Sequence, residues 1–523
     1  VSTYYFIGGG IASLAGAAYL IRDGNVLGRD IVIFEESADF GGALDAHGSA
    51  ETGYYMSGSR MFESEYRCTF DLLSSIPSSS DASISVTAET DRVRAENSWN
   101  DKARLVDLHG TITDFHALGF SLRDRADLLT IVLEPEARID GKRISDCFDP
   151  PFFETNFWYE WCTLFAFQPW HSAIEFRRYL LRFMHRFSTI DTQEGVYRTN
   201  LNQYESIAVP LMTWLRDRGV ATRFESTVTD LGLNEATGGR IAVESIEISC
   251  AGSAEIVDIT ERDLVFLTNG SMTADKAFGS MSAAPILDRS KRSGAWRLWE
   301  KIAAGRPKFG RPSVFDDHVP ESVWESFSVT IRDPLFLERI EEFTGSVAGR
   351  GGLTTFKDSN WLITISIFHQ PFFANQPPGA SVWWGYGLYY DQPGNFVKKP
   401  MSECTGKEIL EEVLGHLHFD DDKDAIIASS TVIPCVMPYI TSQFLVRSAG
   451  DRPAVVPAGS TNLAFLGQFC ELPDDVVFTV EYSIRSAQTA VYRLLGLTKK
   501  PISMYKGAHD PRVLFAALET LRR

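Results

Sequence analysis

Residues 4–21 read YYFIGGGIASLAGAAYLI, and this stretch decides the fold. A short apolar run, Tyr4 to Ile7, is followed by three glycines and then by the apolar helical pattern Ile11 to Ile21. A second apolar strand, Ile31 to Phe34, ends at Glu35-Glu36. The order strand, glycine turn, helix, strand is that of a dinucleotide-binding unit. Gly8 permits the tight turn, and Gly10 lets the backbone approach a pyrophosphate lying on unpaired N–H groups at the helix start. Ser13, in place of a third glycine, is small enough for close helix–strand packing. Glu35, at the end of the second strand, is an acceptor for a ribose hydroxyl.

Working outward, the later chain supplies matching pieces. Leu264 to Leu267 is a strand running into Thr268-Asn-Gly-Ser271. Asn462 to Gly467 is another strand, followed by a helix over Glu481 to Leu495. Ala221 to Leu231 and Ile246 to Ser249 also read as strands, and Trp324 to Ile367 mixes strands with the turn at Gly349 to Gly352. Residues 152–187, rich in aromatics and free of glycine, read as buried helices broken near Pro169. The expected class is therefore α/β: an FAD-binding, two-dinucleotide-fold core with a largely helical substrate domain. Three segments, 1–95, 195–270 and 430–495, are expected to build a discontinuous Rossmann-like domain. Residues 96–194 and 271–429 would form the substrate-binding cap, and 496–523 a C-terminal helical tail.

Composition narrows the function. The 523 residues are too many for one core. A net charge of −18 disfavours nucleic acid, whose phosphates it repels. Seven cysteines without CxxC or metal-ligand spacing indicate reduced thiols, a cytoplasmic protein and no metal centre. The 35 Phe and 11 Trp serve either large cores or a deep apolar pocket. Residues 498–523 carry six basic and two acidic residues around the apolar run Val513 to Leu518, which suits either an ordinary packed helix or peripheral contact with anionic lipid. FAD is favoured over NAD by Gly41-Gly42 and Arg60 after the acidic pair, an order that in two-dinucleotide-fold flavoproteins wraps the pyrophosphate and approaches the flavin.

Longer segments carry a family resemblance. They include Asn156-Phe-Trp158, Trp170-His-Ser-Ala173, Asn202-Gln-Tyr204, FKDSNW at 356–361 and FLGQFCELPDDVVFTVEY at 465–482. The chain resembles the fatty acid double-bond hydratases, or oleate hydratases, once called myosin-cross-reactive antigens. The resemblance implies a redox-neutral hydro-lyase that binds FAD and adds water to the cis double bond of an unsaturated fatty acid, as in oleate to a 10-hydroxystearate-type product. It implies cofactor contacts at Gly8, Gly10, Ala12, Ser13, Glu35, Glu36, Gly42, Arg60, Ser271 and Phe478.

The family's catalytic loop reads Arg-Gly-Gly-Arg-Glu-Met, and here it is Ser57-Gly-Ser-Arg-Met-Phe62. Met61 thus stands where the family has its catalytic glutamate, and a thioether takes no proton from water. Glu63 and Glu65 are the nearby carboxylates. The resemblance assigns the alkene-protonating tyrosine to Tyr179, with Tyr204 as the alternative. The family's carboxylate-binding Thr, Asn and His fall on Ser366, Phe368 and Phe372, leaving Ser366 and the adjacent His369 as substrate-binding candidates. The chain starts almost at its first strand, without the extension that many family members use in dimers, which points to a monomer. Two other functions stay open: a flavin oxidoreductase acting on a lipid or amine, and a fatty-acid-binding homologue that has lost catalysis.

Overall fold

The computed structural model describes residues 2–96, 102–113, 116–236, 239–250, 252–289 and 292–523. At its centre is a five-stranded parallel sheet in the order Leu463–Leu466, Leu264–Thr268, Tyr4–Ile7, Ile31–Phe34, Ala221–Arg223. Phe6 lies opposite Ile33 on one side and Phe266 on the other, and Leu267 lies opposite Phe465. The sequences IVIF, LVFLT and LAFL are nearly continuous apolar runs because a parallel sheet is covered on both faces. The Ile11–Arg22 helix is buried from Ile11 to Leu20 and packs against the Val480–Leu494 helix. It sits so low on the sheet that a Cβ on Gly16 would come within 2.5 Å of the Phe6 ring.

The stretch Ala221 to Leu231, read above as one strand, is two. The chain turns at Glu225, whose φ is +51°, and leaves the parallel sheet. Ser226–Ala236 then pairs with Arg240–Cys250 and Ser253–Asp258 in a separate antiparallel meander.

A second, eight-stranded sheet runs Ala277–Phe278, Ser430–Met437, Trp324–Ile331, Ser381–Gly387, Ile363–Ile367, Thr354–Phe356, Arg104–Val106, Ile112–Thr113. Alternation along its strands separates two faces. Phe327, Val329, Trp383, Ile363 and Ile365 pack into one core with the Leu335–Thr344 and Gly406–Leu417 helices. Trp324, Trp384 and Tyr386 point the other way, into the larger core. Facing them is a helical layer that includes Asn156–Phe165 and Ala173–Arg182, separated by a break at residues 166–172. The helices are thus half of the substrate side, and the sheet is the other half. Among the described residues no helix is long and apolar enough to cross a membrane.

Candidate active site

Two cavities meet at a shared wall. The first, of about 1120 Å³, opens over the C-terminal ends of the parallel strands and the start of the Ile11–Arg22 helix. Such a crevice is where open parallel sheets take ligands. Gly8 has φ +97°, a conformation that a side chain disfavours. The helix has no side-chain cap at Gly10, so its first N–H groups face the cavity. Gly8, Gly10, Ala12, Glu35, Glu36, Gly42, Arg60, Ser271 and Phe478 all line it.

Ser13 does not line this cavity; its hydroxyl lies 3.1 Å from that of Thr268 and ties helix to strand. Glu35 Oε2 accepts the Gly9 N–H at 2.6 Å, and Oε1 accepts the Ser37 N–H and hydroxyl at 2.8 and 2.7 Å. Three donors against about four lone-pair sites leave one for a ribose hydroxyl. Glu36, whose pKa burial pushes up, accepts the Gly294 N–H at 2.8 Å. The glycine-lined helix start and the open acceptor on Glu35 fit a dinucleotide.

The second cavity, of about 1300 Å³, lies between the helical layer and the eight-stranded sheet. Trp161, Phe165, Tyr179 and Phe183 form one wall, and Trp324, Trp384 and Tyr386 the other. Arg60, Phe478, Thr479 and Val480 line both cavities and form the wall between them. The Ser57–Phe62 loop crosses at this junction and brings Met61 into the apolar cavity.

Tyr179 is fully buried on the second cavity, and its hydroxyl donates to the Val477 carbonyl at 2.5 Å. Burial drives its pKa well above the ordinary tyrosine value, so the phenol keeps its proton at neutral pH. Tyr204 lies elsewhere: its ring stacks on Phe40 and its hydroxyl donates to Asp39 at 2.7 Å, outside the lining of both cavities. Ser366 and His369 are also off both linings. Ser366 Oγ accepts from Arg198 Nη2 at 2.6 Å, and His369 Nε2 is hydrogen-bonded to the Asn200 carbonyl. Glu65 pairs with Arg67 at 2.8 Å and takes no part in either cavity.

Glu63 does line the apolar cavity, but it is committed to a buried cation cluster. His185 Nε2 and Arg186 Nη2 lie 2.9 and 2.8 Å from Oε1, and Arg182 Nη1 lies 3.6 Å from Oε2. Burial alone raises its pKa, yet the His185 hydrogen bond and the neighbouring cations outweigh it and hold the carboxyl at about 2. Such a carboxylate is a poor base. Because the folded value lies below the ordinary 4.5, the cluster stabilises the fold fully above pH 4.5. That contribution, about 3 kcal/mol, is lost as pH falls toward 2. Glu63→Gln is therefore expected to lower the melting temperature by a few degrees at pH 7. The gap from wild type should narrow in melts taken below pH 4.5; a gap independent of pH contradicts this assignment.

Three polar groups on the apolar cavity carry no sequence expectation. Among the described residues, neither amide atom of the Gln203 side chain, 7% exposed, has a hydrogen-bond partner, and the Trp324 and Trp384 indole N–H groups likewise find none. Gln193 also lines the cavity and donates to Glu160 Oε1 at 2.6 Å. Burial raises the Glu160 pKa to about 8. Gln203 stands inside the Asn202-Gln-Tyr204 segment, so its place was visible but its role was not. The tryptophans are indistinguishable in sequence from core residues.

The chain is 37% identical over 524 residues to the oleate hydratase of Streptococcus pyogenes, covering 98% of this chain and 88% of that protein. It is 32% identical over 561 residues to the linoleate hydratase of Lactiplantibacillus plantarum, covering 98% and 97%. Among solved structures, cyclohexylamine oxidase from Brevibacterium oxydans superposes with a TM-score of 0.54 at 12% identity, over 95% of this chain and 99% of that one. An oxidoreductase from Methanosarcina mazei gives 0.50 at 13%, over 93% and 98%. At such identities these two speak for the fold alone. The profile of the MCRA family matches residues 2–492, and with two relatives above 30% identity along nearly its whole length, the chain belongs to the MCRA family.

Proposed function

We propose that this protein is a hydro-lyase that adds water across the cis double bond of an unsaturated fatty acid, with FAD as a cofactor that undergoes no net redox change. The observation that carries this reading is the apolar cavity sharing a wall with the dinucleotide cleft, in a chain akin to oleate and linoleate hydratases. Gly8, Gly10, Glu35, Gly42, Arg60 and Phe478 would hold FAD, which supplies electrostatic support at the shared wall.

The chain's own residues do the rest. The aromatic walls exclude water and align the acyl chain. Tyr179 delivers its phenolic proton to one alkene carbon, water captures the carbocation-like charge on one face, and the proton that water sheds as the C–O bond forms returns to the Tyr179 oxygen and restores the phenol. Met61 accepts no proton, and Glu63 is held ionised by its cation cluster. Orientation of the water therefore falls to wall groups such as the Gln203 amide.

Anaerobic turnover of oleate in ¹⁸O-water tests the reaction class. The product is expected to carry one labelled hydroxyl, with no electron acceptor consumed. Consumption of oxygen or an acceptor in proportion to product would make the protein an oxidoreductase; tight binding without product would make it a lipid carrier.

We propose in addition that the protein is cytoplasmic and touches anionic membrane surfaces through its C-terminal tail. The Pro511–Thr520 helix packs beside Met184–Thr189, close to the cavity-lining residues Arg186 and Thr189, and leaves Phe515 64% exposed with Leu514 and Leu518 also outward. Co-flotation with phosphatidylglycerol vesicles is expected, and is expected to fail for Phe515→Asp. Equal flotation of wild type and variant would remove the helix from that role.

A further inference from the structure

Glu160 is the least expected side chain in the apolar half of the molecule. It is fully buried on the Asn156–Phe165 helix, which also carries Trp158 and Trp161. Among the described residues its Oε2 has no hydrogen-bond partner, and its Oε1 accepts from the Gln193 side chain, whose Nε2 lies 2.6 Å away. A carboxyl group taken out of water for one hydrogen bond is destabilising, and an apolar side chain of the same size would serve the packing better. The amide that it anchors is held closely in turn. Gln193 is buried, and its carbonyl accepts the Val196 N–H at 3.1 Å. Its backbone has φ +52°, where a residue other than glycine stays only if its surroundings hold it. Met61, Gln193 and Val196 line both the main cavity and a side branch of about 230 Å³. With Nε2 spent on Glu160, the Gln193 Oε1 lies beside Gly352, which also lines the branch. A Cβ on Gly352 would come within 2.9 Å of that oxygen, so the glycine leaves it its space.

We infer that Gln193 is a further catalytic residue, whose Oε1 accepts a hydrogen bond from the attacking water, and that Glu160 is its positioning residue. The inference rests on the hydratase reading and deepens it by giving the water a place. A group that orients water must first be oriented itself. Gln203, the other glutamine on the cavity, has both amide atoms without a partner among the described residues, so no hydrogen bond decides which way it points. Gln193 has its donor side fixed by Glu160, and the acceptor side is what a water meets. An amide is no base at neutral pH. It holds one O–H of the water and leaves the oxygen lone pair for the carbon that Tyr179 has made electron-poor. The C–O bond then forms, and the proton leaving the water goes to the Tyr179 oxygen. Where no water is held, the Tyr179 oxygen instead takes a proton from a carbon beside the cation, and an alkene is restored without hydration. Burial raises the Glu160 pKa to about 8, so the group is largely neutral at pH 7 and fixes the amide without setting a full negative charge at the wall.

The test runs the flavin-loaded enzyme on oleate in deuterium oxide and reads, at initial rates, deuterated alkene against deuterated hydroxy acid. Protonation marks both products, so their sum follows the Tyr179 step and their ratio follows water capture. Gln193→Leu is expected to raise the ratio of alkene to hydroxy acid by about 10-fold, the effect of one hydrogen bond lost from the transition state, with the KM for oleate and the affinity for FAD unchanged. Glu160→Leu should move the ratio the same way, and the double variant should move it no further. Glu160→Gln, which keeps an acceptor for Nε2, should stay near wild type. A fall of both products together in Gln193→Leu at an unchanged ratio overturns the role, and so does a Glu160→Leu effect that adds fully to that of Gln193→Leu. Should Gln193→Leu fail to fold, Gln193→Asn draws the amide back by one methylene and reads the same ratio; no change there overturns the proposal. Wild type that binds oleate and forms neither product overturns the hydratase reading and this inference with it. Wild type that hydrates oleate while Gln193→Leu keeps the wild-type ratio overturns this inference alone.

Discussion

Gly10→Val is expected to remove flavin binding altogether while leaving the fold intact. Gly10 has φ −76° and ψ 175°, an extended backbone that valine adopts readily. Among the described residues outside its own chain neighbours, the atom nearest to a Cβ at Gly10 is the Gly42 Cα at 3.9 Å. The protein itself therefore has room for a side chain there. That room is the space over the helix N-terminus, where a pyrophosphate must approach the backbone. The branched methyl groups of valine fill it and displace the ligand from its N–H donors. Purified variant should show no flavin absorbance and take up none on reconstitution, with circular dichroism and melting temperature equal to those of flavin-free wild type. A variant that holds FAD with wild-type affinity would sink the assignment of this cleft. Gly9 is a less clean test, because a Cβ there would press on the Glu35 carboxylate at 3.0 Å and disturb the protein as well.

The second large effect concerns Tyr179. An isolated alkene is a poor base, so proton delivery builds most of the positive charge and dominates the barrier. Loss of a positioned acid costs typically 10²–10⁴ in rate, and Tyr179→Phe is expected to lower kcat by about 10²-fold or more. The structure adds a second consequence. The hydroxyl donates to the Val477 carbonyl, one residue before Phe478 of the shared wall, and its removal leaves that buried carbonyl without this donor. A loss of about 1–3 kcal/mol in stability should accompany the kinetic loss. The two are separable: affinity for FAD and oleate should be retained, and a melting curve of the variant shows the stability loss apart from the loss of turnover. A purely structural tyrosine would give the stability loss with turnover largely kept, and that outcome would remove Tyr179 from catalysis. Tyr204→Phe is the control, since its hydroxyl faces Asp39 and not the cavity. A larger fall there would transfer the role to Tyr204.

The sequence revealed the dinucleotide half of the molecule well because parallel strands announce themselves. Ile31–Phe34, Leu264–Thr268 and Leu463–Leu466 are short apolar runs of a kind that few other structures require, and the glycine turn fixes which end of the sheet takes the ligand. The eight-stranded sheet was much less legible. Its strands alternate between two buried faces, so the polar–apolar rhythm that marks a solvent-facing strand is missing. Arg104–Val106 also finds its partner at Thr354–Phe356, a pairing that no local signal encodes. Carboxylates were the hardest to read. Glu63 and Glu65 look alike on paper, and only the arrival of Arg182, His185 and Arg186 from the helical layer makes one of them a buried counter-ion. Gln203 is an ordinary polar letter until the tertiary fold places it on the apolar cavity.

The strand order of the parallel sheet also sets a timetable for the ribosome. Tyr4–Ile7, Ile31–Phe34, Ala221–Arg223 and Leu264–Thr268 are all translated well before Leu463–Leu466, which completes the sheet, and before Phe478 and the Val480–Leu494 helix, which finish the cleft. Until then the Leu264–Thr268 edge, with its LVFLT side chains, is an open template for pairing with another chain. Contacts this distant in sequence form slowly, and the waiting intermediate is prone to aggregate. Nascent chains that stop before residue 463 should therefore bind no flavin and depend on chaperones. Cofactor supplied during expression acts only on chains whose last strand has docked, by trapping them in that state.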